Sequence, residues 1–123
     1  MGRLAFRGAS RVGLARVEGE SMRPALDPGD RLLVHHGGEV RPGDVVVARF
    51  PDGTLVVKRA VEARATRTGA PGWWLLSDAP EVGVDSRHRG VVAHEDVLGV
   101  AVARLWPRPG RLRARVSAAT DKV

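Results

Sequence analysis

A Pro-Gly-Asp unit occurs twice in this chain, each time directly ahead of an apolar run: Pro28-Gly29-Asp30 before Arg31-Leu32-Leu33-Val34, and Pro42-Gly43-Asp44 before Val45-Val46-Val47. Proline holds φ at about −65° at the second position of a turn, and glycine supplies the positive φ that a type II turn requires at the third. Each unit therefore predicts a turn that feeds a strand. Two copies with unequal continuations do not make a repeat array. Pro51-Asp52-Gly53 separates Val45–Phe50 from Thr54–Val61, two β-branched runs of strand length, and reads as a hairpin loop. Trp73–Ser77 and Val97–Leu105 predict further strands. Polar Glu62–Gly72 and the Gly-, Pro- and Asp-rich Asp78–Gly90 read as loops. No helical period of useful length runs through the core, which leaves a mostly β, barrel-like domain.

With 123 residues the chain has room for one domain and no second catalytic one. It contains no Cys, so neither a disulfide framework nor a thiolate nucleophile is open to it, and a reducing, cytoplasmic setting is expected. The net charge of +6 raises the question of a nucleic-acid partner, but that charge sits at the ends. Residues 1–16 carry four Arg and no acid, residues 104–123 carry five Arg and Lys122 against Asp121, and the stretch between is net acidic. Such ends read as solvated tails rather than as a groove that tracks phosphates. Stacking side chains are few as well, with no Tyr, two Phe and three Trp, so no nucleic-acid partner is expected. No run approaches the ~20 apolar residues of a membrane span. Arg7, Arg11 and Arg16 interrupt the short apolar pieces near the start, so no transmembrane anchor is expected. The chain accordingly divides into a basic N-terminal segment 1–16, a core domain 17–107 and a basic C-terminal tail 108–123.

Within the core, Val17-Glu18-Gly19-Glu20-Ser21-Met22-Arg23-Pro24-Ala25-Leu26 is a glycine-permitted bend that delivers a serine beside an apolar anchor, Met22. The hydrolase elbow G-x-S-x-G is not its pattern, because Arg23 stands at the last glycine. Any base for Ser21 must come from elsewhere. Strand alternation in Thr54–Val61 puts Lys58 on the face of Val56 and Ala60, opposite Arg59. An apolar setting disfavours an ammonium, so the pKa of a buried lysine falls from about 10.4 and its amine becomes a base. Taken singly, each residue has a plainer reading: Ser21 as a turn residue, and Lys58 as a strand lysine whose stem carries its charge to solvent. The histidines point to neither a triad nor a metal site. His35 and His36 are adjacent and face opposite sides of a strand, and His88 and His94 sit in or beside loops without helical i, i+4 spacing.

The order of several pieces is more specific than any one of them. Gly19-Glu20-Ser21-Met22-Arg23-Pro24-Ala25-Leu26 followed by Pro28-Gly29-Asp30, then Lys58-Arg59, then Asp78 with Asp85-Ser86-Arg87 and Gly90, resembles the three boxes of the type I signal peptidase family. The likeness runs from about Val17 to Pro107. It implies a small barrel-like domain of the signal peptidase and repressor-protease type, with Ser21 as acylating nucleophile, Lys58 as general base and the Ser21 backbone N–H as an oxyanion donor. It further implies structural ion pairs among Arg59, Asp78, Asp85 and Arg87, and no metal or cofactor. Within the family the chain is most similar to the short proteases described as maturing nickel-type superoxide dismutase. The implied partner is thus a protein substrate with a cleavable N-terminal leader.

Three positions depart from the family pattern. Gly19 stands where some members carry a serine that helps bind the oxyanion. Ser77-Asp78-Ala79 stands where Gly-Asp-Asn is usual. Gly83 stands where some members carry a serine, two residues before the aspartate, that hydrogen-bonds the lysine. The departures at Ala79 and Gly83 motivate an alternative reading, a catalytically weak or inactive β-barrel that keeps the frame for binding, and with Gly83 a looser Lys58 is expected. A third reading, a self-cleaving repressor-type regulator, requires a DNA-reading helix pair, for which sixteen residues ahead of the core are too few.

Overall fold

A computed structural model of the protein describes residues 4–6, 11–37 and 39–112. Both Pro-Gly-Asp units form the expected turns. The amide of Asp30 donates to the Asp27 carbonyl at 3.1 Å and that of Asp44 to the Arg41 carbonyl at 3.0 Å, with Gly29 and Gly43 at φ of 93° and 95°. The two aspartates also close their turns with side chains. Asp30 Oδ2 accepts from the Asp27 amide at 3.0 Å, and Asp44 Oδ2 accepts from the Arg41 amide at 2.9 Å.

The strands that follow are β1 (Leu4–Phe6), β2 (Val12–Arg16), β3 (Arg31–His36), β4 (Val45–Arg49), β5 (Leu55–Ala65), β6 (Pro71–Leu76), β7 (Val92–Ala93), β8 (Val97–Trp106) and β9 (Gly110–Arg111). A single helical turn, α1 (Ser86–Arg89), lies between β6 and β7. All described pairings are antiparallel, in the order β1-β2-β3-β8-β4-β5-β6-β7, with β9 added on β8. The mostly β architecture expected from the turn pattern is therefore the one found. Alternation along β4 divides the interior into two apolar clusters. Val45 and Val47 join Val17, Met22, Leu26, Leu32 and Val34, whereas Val46 and Ala48 join Phe50, Ala60, Leu75 and Val100 on the other face.

Three expectations need correction. Glu62–Gly72 is not a loop, because β5 and β6 continue through it as a long hairpin closed at Thr66–Ala70. Main-chain pairing holds strands whose side chains are polar and exposed, and Arg64 covers the Trp74 ring from 4.0 Å. Asp78–Gly90 contains α1. The basic ends are also not simply solvated tails. β2, from the segment 1–16, pairs with β3 along its length and buries Ala15, and β9, from the segment 108–123, pairs with β8. Residues 113–123 of the expected tail lie outside the described residues. Among the described residues, no helix is long and apolar enough to cross a membrane.

Candidate active site

Ser21 lies in the turn between β2 and β3, and the turn is held from below. Met22 and Leu26 are buried in the first cluster, and the Leu26 amide donates to the Met22 carbonyl at 2.9 Å. Burial of these two side chains leaves Ser21, between them and Gly19 at φ 77°, half-buried at the surface. Lys58 comes from the middle of β5, paired opposite Val46 of β4, and shares its face with Val56 and Ala60 as alternation requires. The lysine is only 4% exposed.

The structure brings the two side chains together. Lys58 Nζ lies 2.9 Å from Ser21 Oγ and 3.0 Å from Ser77 Oγ. Desolvation lowers the Lys58 pKa from its ordinary value, and the negative charge of Asp85 opposes that fall without cancelling it. The lysine is therefore not left loose by Gly83. Ser77, a buried residue just past β6, supplies the hydroxyl that the sequence motif lacks. Sequence reasoning missed this role. No signal in the sequence put it there, since Arg59 pairs with Leu76, and so brings Ser77 beside Lys58, only through a register irregularity between Ala60 and Glu62.

Asp85 organises the wall behind the lysine. Fully buried, it accepts from the Ser77 amide at 2.9 Å, from the Arg87 amide at 3.0 Å, and from Arg87 Nε and an Arg87 terminal N–H at 3.0 and 2.9 Å. Burial by itself would raise the Asp85 pKa. The hydrogen bonds from the Arg87 side chain and from the Ser77 and Arg87 amides together outweigh it, and hold the carboxyl well below the usual range. The same residue caps α1, while His88 Nδ1 accepts from the Asp85 amide at 3.2 Å. One histidine thus has a structural task that its sequence position did not reveal. Of the expected ion pairs, Arg59 joins Asp78 and Arg87 joins Asp85. Among the described residues, no group of three or more His, Asp or Glu side chains gathers in a way that could hold a metal ion.

Two clefts meet at the Ser21–Lys58 pair. One, of about 260 Å³, is walled chiefly by Val17, Met22, Val47, Leu55 and Val57. The other, of about 290 Å³, runs between Phe50, Val82 and Val84, with Glu18, Glu20, Asp52 and Arg89 also lining it. A serine hydroxyl paired with a lysine of lowered pKa, open to clefts on both sides, can attack a carbonyl within an extended chain.

Comparison with known proteins agrees with this chemistry. Residues 1–89 match the Peptidase S24-like family. The chain is 30% identical over 120 residues to mitochondrial ATP-independent inner membrane protease subunit 1a of Arabidopsis thaliana, covering 78% of this chain and 71% of that protein. It is 38% identical over 93 residues to the LexA repressor of Aromatoleum aromaticum, covering 72% of this chain and 40% of that protein. The kinship inferred from three sequence boxes is met at the level of the signal peptidase and LexA type. Together with the antiparallel fold, these matches place the protein among serine peptidases: the chain belongs to the Peptidase S24-like family.

Proposed function

We propose that this protein is a serine endopeptidase with Ser21 as nucleophile and Lys58 as general base, and that it removes an N-terminal leader from a protein in the cytoplasm. The observation that carries the proposal is the 2.9 Å approach of Lys58 Nζ to Ser21 Oγ where two clefts meet. Kinship with a protein named as an inner membrane protease subunit supports it. Neutral Lys58 takes the hydroxyl proton of Ser21 as Oγ attacks the scissile carbonyl carbon. The ammonium so formed hands that proton to the leaving amine as the C–N bond breaks. Water, deprotonated by the Lys58 amine, then attacks the Ser21 ester, and as the C–O bond breaks the Lys58 ammonium returns that proton to Oγ, which releases the acid and restores the hydroxyl. The Ser21 backbone N–H serves the developing oxyanion. The apolar cleft takes an extended, apolar stretch of the leader.

The precursor of nickel-type superoxide dismutase, nominated by the sequence resemblance, is the first substrate to test. Purified protein is incubated with synthetic precursor N-termini of this kind, and products are read by mass spectrometry for wild type and Ser21→Ala. A single internal cut that Ser21→Ala abolishes is expected. Identical behaviour of the two proteins would sink the endopeptidase reading and leave a binding module of the same fold.

A further inference from the structure

Arg89, the last residue of α1, lines two clefts at once. On one side is the cleft between Phe50, Val82 and Val84 that opens onto Ser21 and Lys58. On the other is a third cleft, of about 510 Å³ and larger than either at Ser21, lined by the tip of the β5–β6 hairpin, the β4–β5 turn and the end of α1. The β4–β5 turn is shared in the same way, with Asp52 on the cleft at Ser21 and Pro51 on the third. Asp52 and Arg89 approach to 3.5 Å, and both side chains are nearly half exposed, so the boundary between the two clefts is a surface ion pair over which a peptide can pass. The sign of the charge changes across it. Glu18, Glu20 and Asp52 line the cleft at Ser21. Among the described residues no carboxylate lines the third cleft, whose charged groups are Arg67 and Arg89. Arg64, stacked on half-buried Trp74 at the cleft wall, is matched by Glu62. Arg67 is exposed in the hairpin tip and has no carboxylate partner among the described residues. A cation without a counter-charge, set beside Trp74, Pro51 and Val91, is complementary to a chain that carries acidic and apolar side chains.

We propose that the third cleft is an exosite for the protein substrate, holding a stretch that lies beyond the scissile bond and selecting acidic side chains there. This rests on the endopeptidase reading, in which the apolar cleft takes the leader and the chain leaves Ser21 on the opposite side. An extended chain on that course runs through the cleft at Phe50, Val82 and Val84, passes over the Asp52–Arg89 pair and enters the third cleft. Acidic side chains close to the cut meet Glu18, Glu20 and Asp52 and are disfavoured. The same side chains farther on meet Arg67 and Arg89. Selection therefore depends on position, which a uniformly basic surface would not produce.

The test is a series of peptides with one leader and one scissile bond, in which an acidic pair or a lysine pair is moved stepwise away from the cut. The ratio of kcat/KM for the acidic over the basic peptide is taken within each protein, so a general loss of folded enzyme cancels. In wild type the ratio should lie below one beside the cut and rise to about 10 over one stretch farther on, chiefly through KM, since each exposed arginine–carboxylate pair contributes a few-fold. In about 1 M salt it should fall toward one. Arg67→Gln should lower the distal ratio severalfold and Arg67→Glu should invert it. A distal ratio near one in wild type, or one that Arg67→Glu leaves as it was, overturns the proposal. If no peptide is cut, the same series is titrated by fluorescence anisotropy against Ser21→Ala, with and without Arg67→Glu. A distal acidic preference in binding that Arg67→Glu inverts keeps the exosite and sinks the endopeptidase reading alone. Binding indifferent to the acidic pair, or no binding, overturns the exosite as well.

Discussion

Arg59 grips Asp78 through two parallel hydrogen bonds, Nε to Oδ1 at 3.1 Å and a terminal N–H to Oδ2 at 2.6 Å, while a second terminal N–H reaches the Gly43 carbonyl at 3.0 Å. Lys58 and Arg59 are neighbours on β5 facing opposite ways, so one strand supplies the proposed base on one face and the clamp for the opposing loop on the other. The clamped segment is Ser77–Ala79, which touches Lys58 through the Ser77 hydroxyl and the Ser21 carbonyl through the Ala79 amide. Arg59→Met should therefore cost about 2 kcal/mol of stability, since it strands a partly buried carboxylate. It should also lower kcat more than KM, although Arg59 touches neither Ser21 nor Lys58. Urea unfolding and cleavage kinetics on one preparation check both; unchanged kcat in a folded variant would show that the clamp does not set the site.

Lys58→Met keeps the stem and removes the charge. The Lys58 pKa is lowered in the folded protein, so between that value and about 10.5 the unfolded chain binds more protons and stability rises with pH. Below the folded pKa the full penalty of a buried ammonium applies. Lys58→Met should thus abolish cleavage and be more stable than wild type at neutral pH, with the gain fading as pH approaches 10.5. Denaturant midpoints for both proteins from pH 6 to pH 10 test this, and a gain that grows in alkali would contradict the assignment.

The rate should carry the same signature. If the neutral amine of Lys58 is the base, kcat/KM should climb with pH through an apparent pKa well below that of an ordinary lysine. A profile that is flat from pH 5 to pH 9 would remove Lys58 from the role.

Asp85 works in the opposite sense at the acid end. Its folded pKa lies below the ordinary carboxylate value of 3.8, so its contribution is complete above that value and is lost as pH falls through the folded pKa. Asp85→Asn keeps the shape but removes the charge that Arg87 and the two amides meet. A loss of about 3 kcal/mol at pH 7 is expected, narrowing below pH 3.8. Urea titrations at pH 7 and at about pH 3 measure the gap; equal gaps at both would assign the loss to packing.

Gly83→Ala adds one methyl to the tightest point of the site. A positive φ of 80° and the 3.1 Å approach to Ser21 Cβ together should cost about 1–2 kcal/mol and displace the Ser21–Lys58 contact, lowering kcat. Full activity in this variant would show that the 82–84 segment yields without disturbing the pair.

What the amino-acid order determines by itself is whatever depends on near neighbours. The two Pro-Gly-Asp turns, the β4–β5 hairpin and the placing of Lys58 and Arg59 on opposite faces follow from φ preferences and a period of two, and each is found. Partnerships across the sheet are another matter. β2 was hidden because its inward residues are Gly13 and Ala15 while Val12 and Leu14 face outward, 43% and 50% exposed, which reverses the usual pattern of a half-buried strand. Ser77 was hidden by a register shift. Counting back from the Ala65–Pro71 pair sets Asp78 opposite Lys58, but an irregularity between Ala60 and Glu62 moves the register by one residue and brings Ser77 there instead. Because the side-chain period of a strand is two, that single residue decides whether a carboxylate or a hydroxyl stands at the lysine, and it depends on how the two strands pair along the whole hairpin, which no preference local to Ser77 reveals.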